Sequence, residues 1–137
     1  MKNEGKTHFQ FSVLGFPVLR LRAKPALGIA CAATLCGTEN APRLWLGQDD
    51  GGRPAPRMAR EEAADLVNAL SDFVNDGFTI LTWIGLGFDF DILAEESGMP
   101  GECSRLARSH VDMMFHAFCE RGFPIGLDRV AQTVNWS

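Results

Sequence analysis

The stretch Leu81–Gly98, LTWIGLGFDFDILAEESG, decides how the rest of the chain is read. It opens inside an apolar, β-rich run that starts at Phe78, breaks at Gly85 and Gly87, and then sets Asp89 at the first turn of a helical pattern closed by Gly98. A carboxylate between the end of a strand and the start of a helix lies where ligands of open α/β sheets bind, although by itself it is more often a cap or a partner of the helix dipole. The two glycines do not make a dinucleotide fingerprint. The third glycine of G-x-G-x-x-G would fall at Phe90, too large for close helix–strand contact, and Asp89 would set negative charge beside a pyrophosphate.

Upstream of this stretch, RMAREEAADLVNALSDFVND (57–76) repeats Ala63, Leu66, Val67, Leu70 and Val74 at helical spacing, with Glu61 and Glu62 near its start. Its apolar stripe needs a sheet to lie on. THFQFSVL (7–14) alternates as a strand, FPVLRLRAKP (16–25) reads as an extended arm bounded by prolines, and LGIACAATL (27–35) reads as a strand covered on both sides. RLWLG (43–47) is a third strand, ended by the turn-rich QDDGGRPAP (48–56), and FTILTWIG (78–85) is a fourth. Downstream, MPGE (99–102) reads as a loop. CSRLARSHVDMMFHAFCERG (103–122) fits either one long helix or a helix, a short strand and another helix, and GLDRVAQTV (126–134) starts a last helix beyond Pro124. Strands joined by short turns, then helix, strand and helix, predict an α/β fold: a mixed sheet carrying helices, in one domain over 1–137.

Composition narrows the classes. The chain has 137 residues, 46% of them hydrophobic, and a net charge of −4, which describes a globular protein with a core of its own. No apolar run reaches the roughly 18 residues of a spanning helix, and MKNEGKTHFQF lacks an apolar signal region, so the expectation is a cytoplasmic protein with no membrane partner. Cys31, Cys36, Cys103 and Cys119 contain no C-x-x-C pair, and His8, His110 and His116 are not spaced for zinc; reduced, mostly buried cysteines are expected. A pI near 5.3 argues against sequence-blind nucleic-acid affinity, while LRLRAK and RLARSH concentrate positive charge locally.

Thr82, Trp83, Gly85, Phe88 and Asp89, followed by HVDMMFHAF (110–118) and GLDRVAQTV, resemble the central part of the DEDD-type 3′–5′ exonucleases of the ribonuclease H-like fold. The likeness is greatest to predicted exonucleases related to the proofreading domains of family B DNA polymerases, whose second motif is written T-W-N-G-x-x-F-D. It spans from about Phe9 to the C-terminus. The resemblance implies a mixed sheet with three antiparallel strands followed by parallel ones, incomplete at its C-terminal side because the family's last acid lies beyond the "LDRVA" helix. It also implies magnesium or manganese as cofactor, a single-stranded nucleic-acid 3′ end as partner, and Asp89 as the catalytic, metal-binding acid. Such chemistry uses two cations roughly 3.5–4 Å apart, held by several converging carboxylates.

Here the likeness also shows a loss. Aligning the family's F-D-x-E-T-x-P with FSVLGFP puts Ser12 and Leu14 where an aspartate and a glutamate belong, and Ile84 replaces the asparagine of the second motif. No other acid pair at i, i+2 exists between Thr7 and Leu35, so the loss does not hinge on one register. The chain is therefore expected to be a pseudoenzyme retaining at most weak single-strand binding. Two alternatives stay open: an exonuclease using substitute carboxylates such as Asp91 and Asp112, or an interaction module whose uncovered apolar surface is completed by a copy of itself or by another chain. Asp91 is expected to face solvent, Asp112 to make structural hydrogen bonds, His110 and His116 to be partly buried or surface residues, and Trp45 and Trp83 to fill core or surface, with Trp136 exposed.

Overall fold

The computed structural model describes residues 8–14, 28–83, 85 and 89–133, for 8–14 and 131 by their backbone. The extended arm expected over 16–25 lies outside them. The strands are β1 (His8–Leu14), β2 (Cys31–Cys36), β3 (Arg43–Leu46), β4 (Thr79–Thr82) and β5 (Val111–Asp112). The helices are α1 (Arg60–Asn75), α2 (Phe90–Ser97), α3 (Pro100–Ser109), α4 (Met113–Arg121) and α5 (Leu127–Thr133). The sheet order is β3-β2-β1-β4-β5. β1 pairs antiparallel with β2 from Phe9↔Cys36 to Leu14↔Cys31, and β2 pairs antiparallel with β3 from Cys31↔Leu46 to Thr34↔Arg43. On its other side β1 runs parallel to β4, from His8↔Thr79 to Gln10↔Leu81, and β4 runs parallel to β5. Only β2 runs against the others.

A parallel pair needs a long crossover, and the chain supplies α1 between β3 and β4. The stripe read from the sequence is what this helix buries: Ala63, Leu66, Val67 and Leu70 are wholly inaccessible and Val74 is half-buried. They pack in one cluster with Ile29, Ala32 and Cys36 from the first hairpin, Ile80 of β4, Ile92 and Leu93 of α2, and Cys103 and Leu106 of α3. Each Leu or Val so buried contributes about 1.5–3 kcal/mol.

Both ends of α1 have identifiable stops. Ala59 at the N-cap has no side-chain acceptor, so the carboxylate of Glu62 reaches back instead, accepting from Ala59 N–H at 2.8 Å and from Gln48 N–H at 2.9 Å. That one side chain ties the helix start to the loop after β3. At the other end Gly77 takes φ +93°, a conformation costly for residues with a Cβ, and donates to the Val74 carbonyl at 3.1 Å while Phe78 N–H reaches the Phe73 carbonyl at 3.0 Å. The rings of Phe73 and Phe78 meet edge to face with centroids 5.4 Å apart, the apolar contact that accompanies this stop.

Several boundaries differ from the sequence reading. The first helix starts at Arg60 rather than Arg57, because Met58 N–H is taken by the Ile29 carbonyl at 2.7 Å and the preceding residues run beside the start of β2. β2 is not covered on both sides: Ala32, Thr34 and Cys36 are buried, Cys31 and Ala33 are half-buried and Leu35 is exposed, as in an antiparallel strand with one face on the core. MPGE is not a loop; Pro100 occupies the first turn of α3, where its missing N–H costs nothing. The ambiguous 103–122 segment is helix, strand, helix, divided where His110 turns extended at φ −96°, ψ 168°. β4 is shorter than read, ending at Thr82. No helix among the described residues is long and apolar enough to cross a membrane.

α3 is fastened to α1 by a carboxylate. Glu102 accepts from Arg105 Nη2 at 2.6 Å and Nε at 3.0 Å, and from the Ser71 hydroxyl at 2.6 Å. Arg105 first, and Ser71 after it, hold the Glu102 carboxyl below its ordinary value of 4.5. A depressed folded-state value means that this stabilisation is complete at neutral pH and is lost as pH falls below about 4.5. Glu102→Gln is therefore expected to flatten the acid limb of stability, followed as the urea midpoint between pH 7 and pH 3. Leu70→Ala should cost about 2–5 kcal/mol in the same assay with the slope unchanged, while Asn68→Ala on the exposed side should stay within about 0.5 kcal/mol.

Candidate functional site

The site lies at the C-terminal ends of β4 and β5. Thr82 and Asp112 are register partners there. The parallel register of β1 with β4 ends at Gln10↔Leu81, so Ser12 and Leu14 belong to the same end of the sheet by backbone position. Their side chains, and with them the convergence on Asp89 that the resemblance implies, lie outside the described residues, as do Ile84, Gly87 and Phe88.

The turn that leaves β4 is set by its own side chain. The buried Thr82 hydroxyl accepts the Gly85 N–H at 3.1 Å, and a Cβ on residue 85 would collide with the Thr82 side chain. The glycine of W-x-G is thus required by the threonine three residues before it. Asp89 follows at φ −63°, ψ −45°, already helical, and is only 4% exposed. Its side chain makes no capping hydrogen bond to α2, so the capping role weighed for it above is not the one it has. Phe90 then turns into the core with its ring against the imidazole of His110, centroids 4.8 Å apart and planes at 64°.

That stacking joins the start of α2 to the end of α3. His110 Nδ1 lies at the Ala107 carbonyl, which can only accept, so Nδ1 is the donor of that pair. Nε2 is buried and has no hydrogen-bond partner among the described residues, and the indole N–H of the half-buried Trp83 is in the same condition. Asp112 caps α4: its Oδ1 accepts the Met114 N–H at 3.1 Å from an extended backbone. This is the structural hydrogen bond expected of it. A hollow of about 270 Å³ opens beside these residues, lined by Ala107, His110, Val111, Asp112, Phe115 and His116.

The remaining candidates separate. Asp91 is exposed on the first turn of α2, and His116 is exposed at the rim of the hollow. Trp45 fills surface: its indole N–H donates to Thr34 Oγ1 at 3.0 Å and the Arg43 guanidinium lies 3.9 Å above its ring. Trp136 lies outside the described residues. All four cysteines are free, Cys36 and Cys103 buried, Cys31 half-buried and Cys119 exposed; burial pushes the Cys103 thiol up to about 11. Among the described residues no group of three His, Cys, Asp or Glu side chains is placed to hold a metal ion.

The sequence reading passed over Glu96, which braces this end of the molecule. One of its oxygens accepts from Gly28 N–H at 3.1 Å, and the two together receive Arg57 Nη2 at 3.0 and 3.2 Å, linking α2 to the approaches of β2 and α1. Nothing in the spacing of E-E-S-G distinguishes this glutamate from the exposed Glu95 before it. No protein family, curated protein or solved structure matches the chain. If Asp112 is a cap, Asp112→Asn should keep stability within about 0.5 kcal/mol while Asp112→Ala loses about 0.5–2 kcal/mol in urea denaturation, since asparagine also accepts the N–H.

Proposed function

We propose that this chain is a ribonuclease H-like domain of DEDD-type 3′–5′ exonuclease ancestry which engages single-stranded nucleic-acid 3′ ends weakly and does not hydrolyse them. The observation that carries the reading is the sheet itself. Three antiparallel strands followed by parallel ones, with β1 central and β2 alone reversed, agree with the fold the sequence resemblance implies. Trp83, Gly85 and Asp89 of the W-x-G-x-x-F-D stretch follow the C-terminal end of β4, and ligands of open α/β sheets bind beyond such strand ends.

The donor set does not fit the two divalent cations of that chemistry. Between Glu4 and Glu39 the sequence holds no acid, so β1 offers Ser12 and Leu14 where two carboxylates would be needed. A hydroxyl is a weak neutral ligand for magnesium or manganese, and an isobutyl group is none. Asp112 spends Oδ1 on the start of α4, and Asp91 stands out in solvent. The substitute-carboxylate reading therefore has Asp89 as its one buried acid at this end of β4 among the described residues.

Purified protein incubated with 3′-labelled single-stranded DNA or RNA and magnesium or manganese is expected to leave the 3′ end intact, while fluorescence anisotropy detects weak binding that falls with added salt. Ser12→Asp combined with Leu14→Glu and Ile84→Asn should raise manganese affinity, read by calorimetry. Robust trimming by the unaltered chain that Asp89→Ala abolishes would falsify the proposal.

A further inference from the structure

The chain from Met113 to Thr133 is fastened differently from the three helices before it. No residue of α4 is buried, and only Met114 and Ala117 are half-buried. Beyond the Gly122 cap, Ile125 and Val130 are half-buried and the other described side chains are exposed. By contrast α1 keeps Leu66, Val67 and Leu70 wholly inaccessible, α2 buries Phe90, Ile92 and Leu93, and α3 buries Cys103 and Leu106.

The polar ties divide in the same way. Glu62 joins α1 to the loop after β3, Glu96 joins α2 to Gly28 and Arg57, and Glu102 joins α3 to Ser71 of α1. Within 113–133 the corresponding bonds are local. Gly122 N–H donates to the Phe118 carbonyl at 2.8 Å, the N–H groups of Arg129 and Val130 to the Gly126 carbonyl at 3.1 and 3.3 Å, and the Thr133 hydroxyl to the Val130 carbonyl at 2.8 Å. The bond that leaves the segment, Met114 N–H to Asp112 Oδ1 at 3.1 Å, reaches only the residue next to it. Among the described residues no ion pair joins 113–133 to the rest of the chain.

From this contrast we infer that α4 and α5 form a hinged flap, which opens as a unit at Met113 while the sheet and α1 to α3 stay folded. The cost of a local opening grows with the apolar area and the long-range hydrogen bonds it gives up, and the buried side chains and side-chain ties named above lie outside 113–133. The helices, of 9 and 7 residues, fall below the roughly 12–15 at which an isolated helix is marginal in water, so undocking and unwinding occur together. The hinge has a fixed side. β5 stays paired to β4 through Leu81↔Val111 and Thr82↔Asp112, and the contact of Phe90 with His110 holds the end of α3. Opening takes Phe115 and His116 out of the wall of the hollow, which therefore exists only while the flap is closed, and widens the approach to the end of β5. This holds whatever the strand ends bind.

Hydrogen–deuterium exchange of the whole chain at neutral pH, read by mass spectrometry on peptides from α4, α5, α1 and β4, tests the flap. Amides of 113–130 are expected to exchange about a hundredfold faster, or more, than those of Leu66 to Leu70. Urea well below the unfolding midpoint should leave the rate of the first set nearly constant and accelerate the second, because a local opening exposes little surface. Leu70→Ala should accelerate exchange in α1 and β4 about tenfold or more and leave 113–130 unchanged, since the core is intact whether the flap is closed or open. Should that variant not fold, the urea series on the unaltered chain decides alone. Equal protection in the two regions overturns the inference, as does a common acceleration by urea or by Leu70→Ala. Fast exchange confined to α5, with α4 as protected as α1, overturns the hinge at Met113.

Discussion

The parallel pairing of β4 with the central strand β1 is the constraint on which the rest of the molecule depends. Parallel neighbours cannot be joined by a tight turn, so the chain must cross the sheet between β3 and β4, and α1 makes that crossing with its apolar stripe held on the strands. Once β4 lies beside β1, its exit is fixed, and Thr82, Gly85 and Asp89 follow at the end where β5 also finishes. β5 can be two residues long because β4 is already positioned to receive it. The core records the same dependence: Leu66 and Leu70 of the crossing helix meet Ile80 of β4, and α2 and α3 close over them through Leu93 and Leu106.

Local rules made α1 legible, because Ala63, Leu66, Val67 and Leu70 repeat at the period of a helix and Gly77 stops it in a conformation glycine readily adopts. The strands were legible in kind and less so in extent. LGIACAATL reads as buried on both faces because its residues are uniformly small and apolar, yet among the described residues Leu35 is exposed and the helices pack on the other face, which periodicity has no means of registering. The break at His110 was ambiguous because its cause is tertiary: its ring packs on Phe90, twenty residues earlier, while its Nδ1 closes back on Ala107. Glu96 was illegible for a related reason, as both its partners, Gly28 and Arg57, are distant in sequence. Of the candidate site, Asp89 was found from the motif, whereas its burial and its lack of a capping bond depend on how α2 docks.

The electrostatics of the strand ends bear on the proposed loss of activity. A cleft that binds two divalent cations concentrates negative charge, and that charge destabilises the folded chain when the cations are absent. With serine and leucine on β1, this chain does not bear that cost. The buried polar groups that remain near the strand ends, Asp89, the Trp83 indole and His110 Nε2, do not make a metal cage among the described residues. In this reading the scaffold has kept the folding determinants of the motif, above all the Thr82–Gly85 turn, after losing its chemical ones.

The edges of the sheet bear on how such a chain behaves when crowded. β3, with four residues, directly follows Pro42 and carries Arg43 folded over Trp45, while β5 offers two residues before α4 turns the backbone away. Neither border gives an incoming strand a long, flat ladder to extend, so amyloid-like stacking finds little template. Among the described residues, contact between molecules is thereby left to side chains such as Leu44 and Leu46 of β3 and Phe115 and Phe118 of α4, and is limited by their shape rather than propagated through main-chain hydrogen bonds.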